Sequence, residues 1–207
     1  MNPHNLQDVQ PGFADEALDS QAVFRATLHA LAHPGRPTPV PALAPTPSPG
    51  HPAAARVLLA LLDAECTLWL SPRLGAGAAS AWLRFHTGCR IVSEPEQAQF
   101  LWVAAGDALP SLASLNLGSD ADPELSTTVL LEVADWQGGN PLQWRGPGVA
   151  GARTLAVQGL PDTFLPQWHY NHAAFPRGVD LLLASAEHIV GLPRSSQLSR
   201  TPQPQEA

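Results

Sequence analysis

A single mixed α/β domain is predicted by two observations. The first half of the chain alternates helix-period and strand-period segments, and the second half runs mostly to β-branched and Leu-rich strands. A third observation bounds the size: 207 residues suit one domain with a real core. Hydrophobic residues reach 44% and charged residues only 14%, so much of that chain has to be buried or covered.

Residues 1–18 are polar with scattered apolar positions and read as a partly ordered arm. Asp19 and Ser20 can each cap a helix whose face carries Phe24, Leu28 and Leu31, and His33-Pro34-Gly35 stops it. Between Pro34 and Pro52, eight of 19 residues are Pro, which predicts an extended loop that neither continues a helix nor pairs in a sheet. Pro52 suits a first helical turn, and Val57, Leu58, Leu61 and Leu62 form the apolar face behind it. Thr67–Leu70 reads as a buried strand, Ala78–Phe85 as a helix closed by Thr87-Gly88, and Arg90–Val92 and Phe100–Ala104 as strands. Thr127–Val133 is a strand and Gly138–Pro141 a turn. Leu142–Arg145 and Thr154–Val157 flank a glycine-rich turn, and Thr163–His172 is a helix. Val179–Ala184 and His188–Leu192 form a final hairpin across Ser185-Ala186-Glu187. The domain spans 19–198, and residues 199–207 read as a disordered tail.

Composition removes several classes of function. Eighteen acidic residues against 11 basic ones give a net charge of −7, so no nucleic-acid partner is expected. All 11 basic residues are Arg. Without Lys the chain can form neither a Schiff base nor a P-loop of the Walker type. The first 20 residues have no basic start and no apolar run, and no stretch approaches a membrane span, so a cytoplasmic protein with no signal peptide and no membrane contact is expected. Cys66 and Cys89 lie far apart, belong to no CxxC pair and read as buried small apolar residues.

Local motifs are weak carriers of chemistry. Gly146–Gly151 matches GxGxxG, yet a strand follows where a dinucleotide site needs a helix, and the motif reads as a glycine-rich turn. Gly75–Ser80 sits between strand and helix, where the helix start could meet a phosphate or be a plain helix start. His169 and His172 could share a helix face as metal ligands but lack a third partner; Asp120, Asp122 and Glu124 read as a capped turn rather than a cation site. No metal site and no GxSxG nucleophile elbow is predicted. Arg84 and His86 stand at a helix C-terminus, where they can satisfy carbonyls or clamp an anion. Phe175–Asp180 places Arg177 before an apolar strand, with Asp180 in reach as its partner. The chemistry leaves structural turn and binding site both open there. Arg84, His86 and Arg177 are thus the candidate anion-binding residues, and no catalytic residue stands out.

Taken in order, His33-Pro34-Gly35, Thr67–Ser71, Leu83–Thr87, Val92–Ala98, Gly146–Val149, Phe175–Leu181 and Leu192–Ser196 resemble the PhnH family of bacterial carbon–phosphorus lyase subunits. The resemblance spans roughly residues 13–198; the Pro-rich loop and the tail after Ser199 depart from it. It implies a fold related to the pyridoxal-phosphate-dependent transferases but without the cofactor, which the absence of Lys independently fits. It implies sister subunits G, I and J in a core assembly, the ATPase-like L subunit alongside, and a homodimer when the chain is alone. Subunits G, H and I with L are credited with making ribose 1-methylphosphonate 5-triphosphate from MgATP and methylphosphonate, releasing adenine. It supplies no catalytic residue. The alternative is a free-standing small-molecule enzyme holding an anionic substrate through the Arg/His group.

Overall fold

Residues 9–201 are described by the computed structural model. A seven-stranded sheet in the order β1-β9-β8-β5-β4-β2-β3 forms its centre, and a three-stranded sheet in the order β10-β6-β7 lies apart from it. In the large sheet β2 (Thr67–Leu70), β3 (Arg90–Ile91), β4 (Phe100–Val103), β5 (Thr128–Glu132) and β8 (Asp180–Ala184) run parallel. The antiparallel strands β9 (His188–Leu192) and β1 (Thr38–Pro39) close one edge. The small sheet pairs β6 (Asp135–Arg145), β7 (Arg153–Gln158) and β10 (Gln197–Arg200), all antiparallel.

Strict alternation of side chains builds two cores on the two faces of the large sheet. Leu68, Trp102, Leu130, Leu182 and Ile189 face one core, together with α1 (Glu16–Ala32), α2 (Pro52–Leu61) and α4 (Ala79–Thr87). Leu101, Val129, Leu131, Leu181, Leu183 and Val190 face the other, with Trp144 of the small sheet and Phe164 and Trp168 of α5 (Phe164–Ala173). Among the described residues the other α-helix is the single turn α3 (Pro72–Gly75).

Helix α1 starts earlier than Asp19. Asp15 is the cap, its carboxylate accepting the Leu18 N–H at 2.9 Å, while Asp19 accepts the Asp15 N–H at 3.1 Å. Residues 16–18 of the expected arm are therefore helix. The Pro-rich loop does enter the sheet: Thr38 and Pro39 pair with Ile189 and His188. A two-residue strand at an edge tolerates Pro, because that side of the strand needs no donor. Gly138–Pro141 is not a turn. Strand β6 runs through it, and a register shift between Asp135 and Asn140 absorbs the extra residues as a bulge. Ser199 and Arg200, expected in the tail, pair with Gln143 and Leu142. The rest of that tail, 202–207, and residues 1–8 of the arm lie outside the described residues.

Candidate functional site

In an open α/β sheet, ligands enter at the carboxyl ends of the strands, where the strand order reverses. Here that point lies between β2 and β4. It is occupied by the chain itself. Arg73, just beyond β2, reaches Asp107 with its Nε at 3.0 Å and donates Nη1–H to the Ala105 carbonyl at 2.9 Å. Ser71 Oγ accepts the Ala104 N–H at 2.9 Å. Next to it, the last residue of β5 is Glu132, only 3% exposed. Its carboxylate accepts the Trp102 indole N–H at 2.9 Å, the Ala105 N–H at 3.1 Å and the His51 backbone N–H. His51 Nδ1 lies 3.1 Å from the Ala184 carbonyl, at the end of β8.

The Pro-rich segment seals the same edge. A Cβ on Gly50 would come within 2.7 Å of the Trp102 ring, and one on Gly77 within 2.6 Å of Pro49. Arg56 is buried and donates Nε–H to the Ala44 carbonyl at 3.1 Å. Burial lowers its pKa, and Glu187 opposes that shift. The polar groups of the carboxyl edge are thus spent on each other and on backbone. Sequence reading missed Glu132, although a lone acid closing the apolar run Thr127–Glu132 was a visible signal.

The three candidate anion ligands do not converge. Arg84 and His86 sit at the end of α4, on the face of the first core, whereas Arg177 follows α5 on the face of the second. Strands β3 and β8, which they precede, are four strand spacings apart, roughly 19 Å. His86 is engaged otherwise: its Nε2 lies 2.9 Å from the Gln10 carbonyl, and a Cβ on Gly12 would meet its ring at 2.9 Å. It anchors the N-terminal segment to α4. Gly88 closes that helix in the left-handed conformation, at φ 74°. Arg84 is exposed and lines a cavity of about 580 Å³ shared with Gly75, Gly77 and Ser80 at the uncapped start of α4. Arg177 pairs with Asp120 at 3.3 Å, both exposed, and not with Asp180. Asp180 instead binds Arg194, whose guanidinium also reaches Ser126 Oγ at 2.6 Å and the Pro123 carbonyl. That node fastens the last strand pair to the turn at 123–126, and Arg194 outcompetes Arg177 because its backbone N–H bonds Asp180 as well, at 2.7 Å.

The other motifs resolve as structure. His169 Nε2 lies 2.7 Å from the Leu198 carbonyl and His172 Nδ1 3.0 Å from the Arg194 carbonyl, so both rings tie α5 to the chain around β10. Among the described residues no group of three His, Cys, Asp or Glu side chains could hold a metal. The loop Gly146–Gly151 joins β6 to β7, and Gly148, at φ 79°, approaches the Ala32 carbonyl so closely that a Cβ would lie 2.2 Å away. Asp122 stands at the start of the short turn Pro123–Leu125 but makes no side-chain cap there; its carboxylate accepts from Ser119 Oγ at 3.3 Å instead. No helix among the described residues is long and apolar enough to cross a membrane.

The arrangement defines an α/β protein whose customary ligand edge is closed by its own chain and whose candidate anion-binding arginines, Arg84 and Arg177, stand apart on the outer surface. Residues 11–199 match the family described as bacterial phosphonate metabolism protein (PhnH), and the chain belongs to that family. It is 38% identical over 188 residues to the alpha-D-ribose 1-methylphosphonate 5-triphosphate synthase subunit PhnH of Rhizobium meliloti (strain 1021), covering 91% of this chain and 94% of that one. It is 32% identical over 184 residues to the putative C-P lyase subunit protein HtxG of Stutzerimonas stutzeri, covering 89% and 88% respectively.

Proposed function

We propose that this chain is the H-type subunit of a carbon–phosphorus lyase core complex, supporting conversion of MgATP and alkylphosphonate to ribose 1-alkylphosphonate 5-triphosphate. The observation that carries this reading is the near-full-length match to a named synthase subunit. The closed carboxyl edge supports a role exercised through partners rather than through a cleft of its own. The partners are the G, I and J subunits, with L joining for the reaction. Alone, the chain forms a homodimer, and it works in the cytoplasm as one α/β domain. The fold is related to that of the pyridoxal-phosphate-dependent transferases, but the chain contains no Lys for a Schiff base, so the cofactor does not fit here. Arg84 and Arg177 serve as separate surface points toward anionic substrate or partner, not as one clamp, and His86 supports Arg84 by holding the N-terminal segment against α4.

Co-expression with the sister subunits tests the proposal. The expected result is a stable assembly containing this chain and restored growth on methylphosphonate in a strain lacking its own H subunit. Failure of both, with the chain folded, overturns it. Phosphonate turnover by the purified chain alone favours the free-standing enzyme instead. Alanine at Arg84, His86 and Arg177 separates their roles: growth lost with assembly intact marks substrate contact, and both lost together marks an interface.

A further inference from the structure

The two cysteines, remote in sequence, are neighbours in the fold. Strands β2 and β3 pair in parallel with Thr67 opposite Arg90 and Leu68 opposite Ile91, and the Arg90 N–H donates to the Cys66 carbonyl at 3.0 Å. Extending that register by one residue sets Cys66 beside Cys89. Adjacent strands lie about 4.8 Å apart, inside the roughly 4.4–6.8 Å separation of Cα atoms that a disulfide spans. The side chains also agree in direction. Thr67 and Arg90 point to one face, while Leu68 and Ile91 belong to or pack on the core that also holds Cys89 and touches Cys66. Alternation along both strands therefore sends the two thiols to the same side. Both are free thiols. Cys66 is partly exposed, whereas Cys89 is 2% exposed and lines an outer cleft with Arg84 and Phe85.

We propose that Cys66 and Cys89 form a reversible dithiol–disulfide pair, an oxidation site that locks β3 and the end of α4 to the start of β2. The co-reactant is a low-molecular-weight disulfide of the glutathione class. The Cys66 thiolate attacks one sulfur of that disulfide; its S–S bond breaks, and the departing thiolate takes the electron pair and a proton. Cys89 then attacks Cys66 Sγ, the mixed disulfide breaks, and the second small thiol leaves with the second proton. The protein pair loses two electrons and the small disulfide gains them. Burial pushes both thiols above their usual pKa, and the proximity of Cys89 adds to the rise at Cys66. Exchange is therefore slow at neutral pH. Once formed, the link staples the segment bearing Arg84 and Phe85, so the outer surface of α4 stiffens with the redox state.

The full-length chain, folded in native buffer, is incubated with oxidised glutathione, acid-quenched and mapped by mass spectrometry. The expected product is a chain lighter by two hydrogens, with the Cys66 and Cys89 peptides joined and a thermal midpoint raised by roughly 5 to 10 °C. Cys89→Ser should stop at a stable glutathione adduct on Cys66, and Cys66→Ser should leave Cys89 unmodified in the native state. A wild-type chain that retains the adduct without cross-linking overturns the proposal. So does a link between two chains, or a native chain that stays unreacted while its urea-unfolded form reacts. Circular dichroism of the two serine variants confirms that they are folded, and Cys89→Ala replaces Cys89→Ser if the buried hydroxyl prevents folding.

Discussion

Glu132 is the residue on which the carboxyl edge of the sheet depends. It is buried, and three N–H donors converge on it, one from the Pro-rich segment and two from the end of β4 and the turn after it, so its removal strands all three. Glu132→Ala should cost about 3 kcal/mol of unfolding free energy in a denaturant titration, and Glu132→Gln clearly less, since the amide retains one accepting oxygen. Equal losses would show that packing, not hydrogen bonding, holds the Pro-rich segment down. The cysteines make a second prediction, on pH. Burial raises both thiols in the folded chain, so the neutral form is favoured there while the unfolded thiols ionise near about 8.5. Their contribution is complete below that pH and is lost as pH rises through the folded values. The urea midpoint should therefore fall between pH 8 and 10, and Cys66→Ser should flatten the fall. The test is clean because the chain has no Lys and a single Tyr. Asp63 behaves oppositely: the Cys66 thiol and neighbouring backbone N–H groups hold its pKa down, so its contribution is present at neutral pH and lost on acidification.

At the scale of elements, α1 and β9 meet backbone to backbone. A Cβ on Gly191 would stand 2.3 Å from the Ala30 carbonyl and 2.7 Å from the Leu31 Cα, both on the helix. Backbone cannot yield as a side-chain tip can, so Gly191→Ala should destabilise by roughly 2 to 3 kcal/mol, read as a lower denaturation midpoint at unchanged slope. Nothing in the sequence marked Gly191, since glycine in a strand signals close approach without naming the neighbour. The strands themselves were legible because both faces are buried: Thr127–Val133, Val179–Ala184 and His188–Leu192 are apolar runs bounded by breakers. Helix α2 was legible from Pro52 and the apolar face behind it, and α4 from its Gly88 stop. Strand β10 was not, because Gln197–Arg200 buries only Leu198 and owes its shape to pairing with β6. The same limit hid the site. Arg177 and Asp180 were close in sequence and plausible as partners, whereas Arg194 wins Asp180 across the β8–β9 hairpin, a relation that only the register supplies.

For the whole molecule, the two cores account for most apolar residues but leave a stripe uncovered on α1. Leu18, Phe24 and Leu28 are 65%, 44% and 50% exposed, and their spacing places them on one side of the helix, opposite buried Val23, Thr27 and Ala30. Three large side chains on one helix, in a chain with only 14% charged residues, form a surface that water penalises. If the chain dimerises alone, an isologous contact through this stripe covers it twice at once. Light scattering of the isolated chain should then give about twice 21.9 kDa. A Phe24→Glu, Leu28→Glu double variant should sediment as a monomer with an unchanged denaturation midpoint, since neither position contributes to a core. The same variant, co-expressed with the sister subunits, decides what the stripe is for. Assembly retained after the dimer is lost shows that the stripe serves self-association alone. Assembly lost with it shows that a sister subunit takes over the same face, so that the free dimer protects the apolar stripe until the complex forms. A dimer that survives both substitutions places the contact elsewhere, and the exposed Phe85 on α4 is then the next position to change.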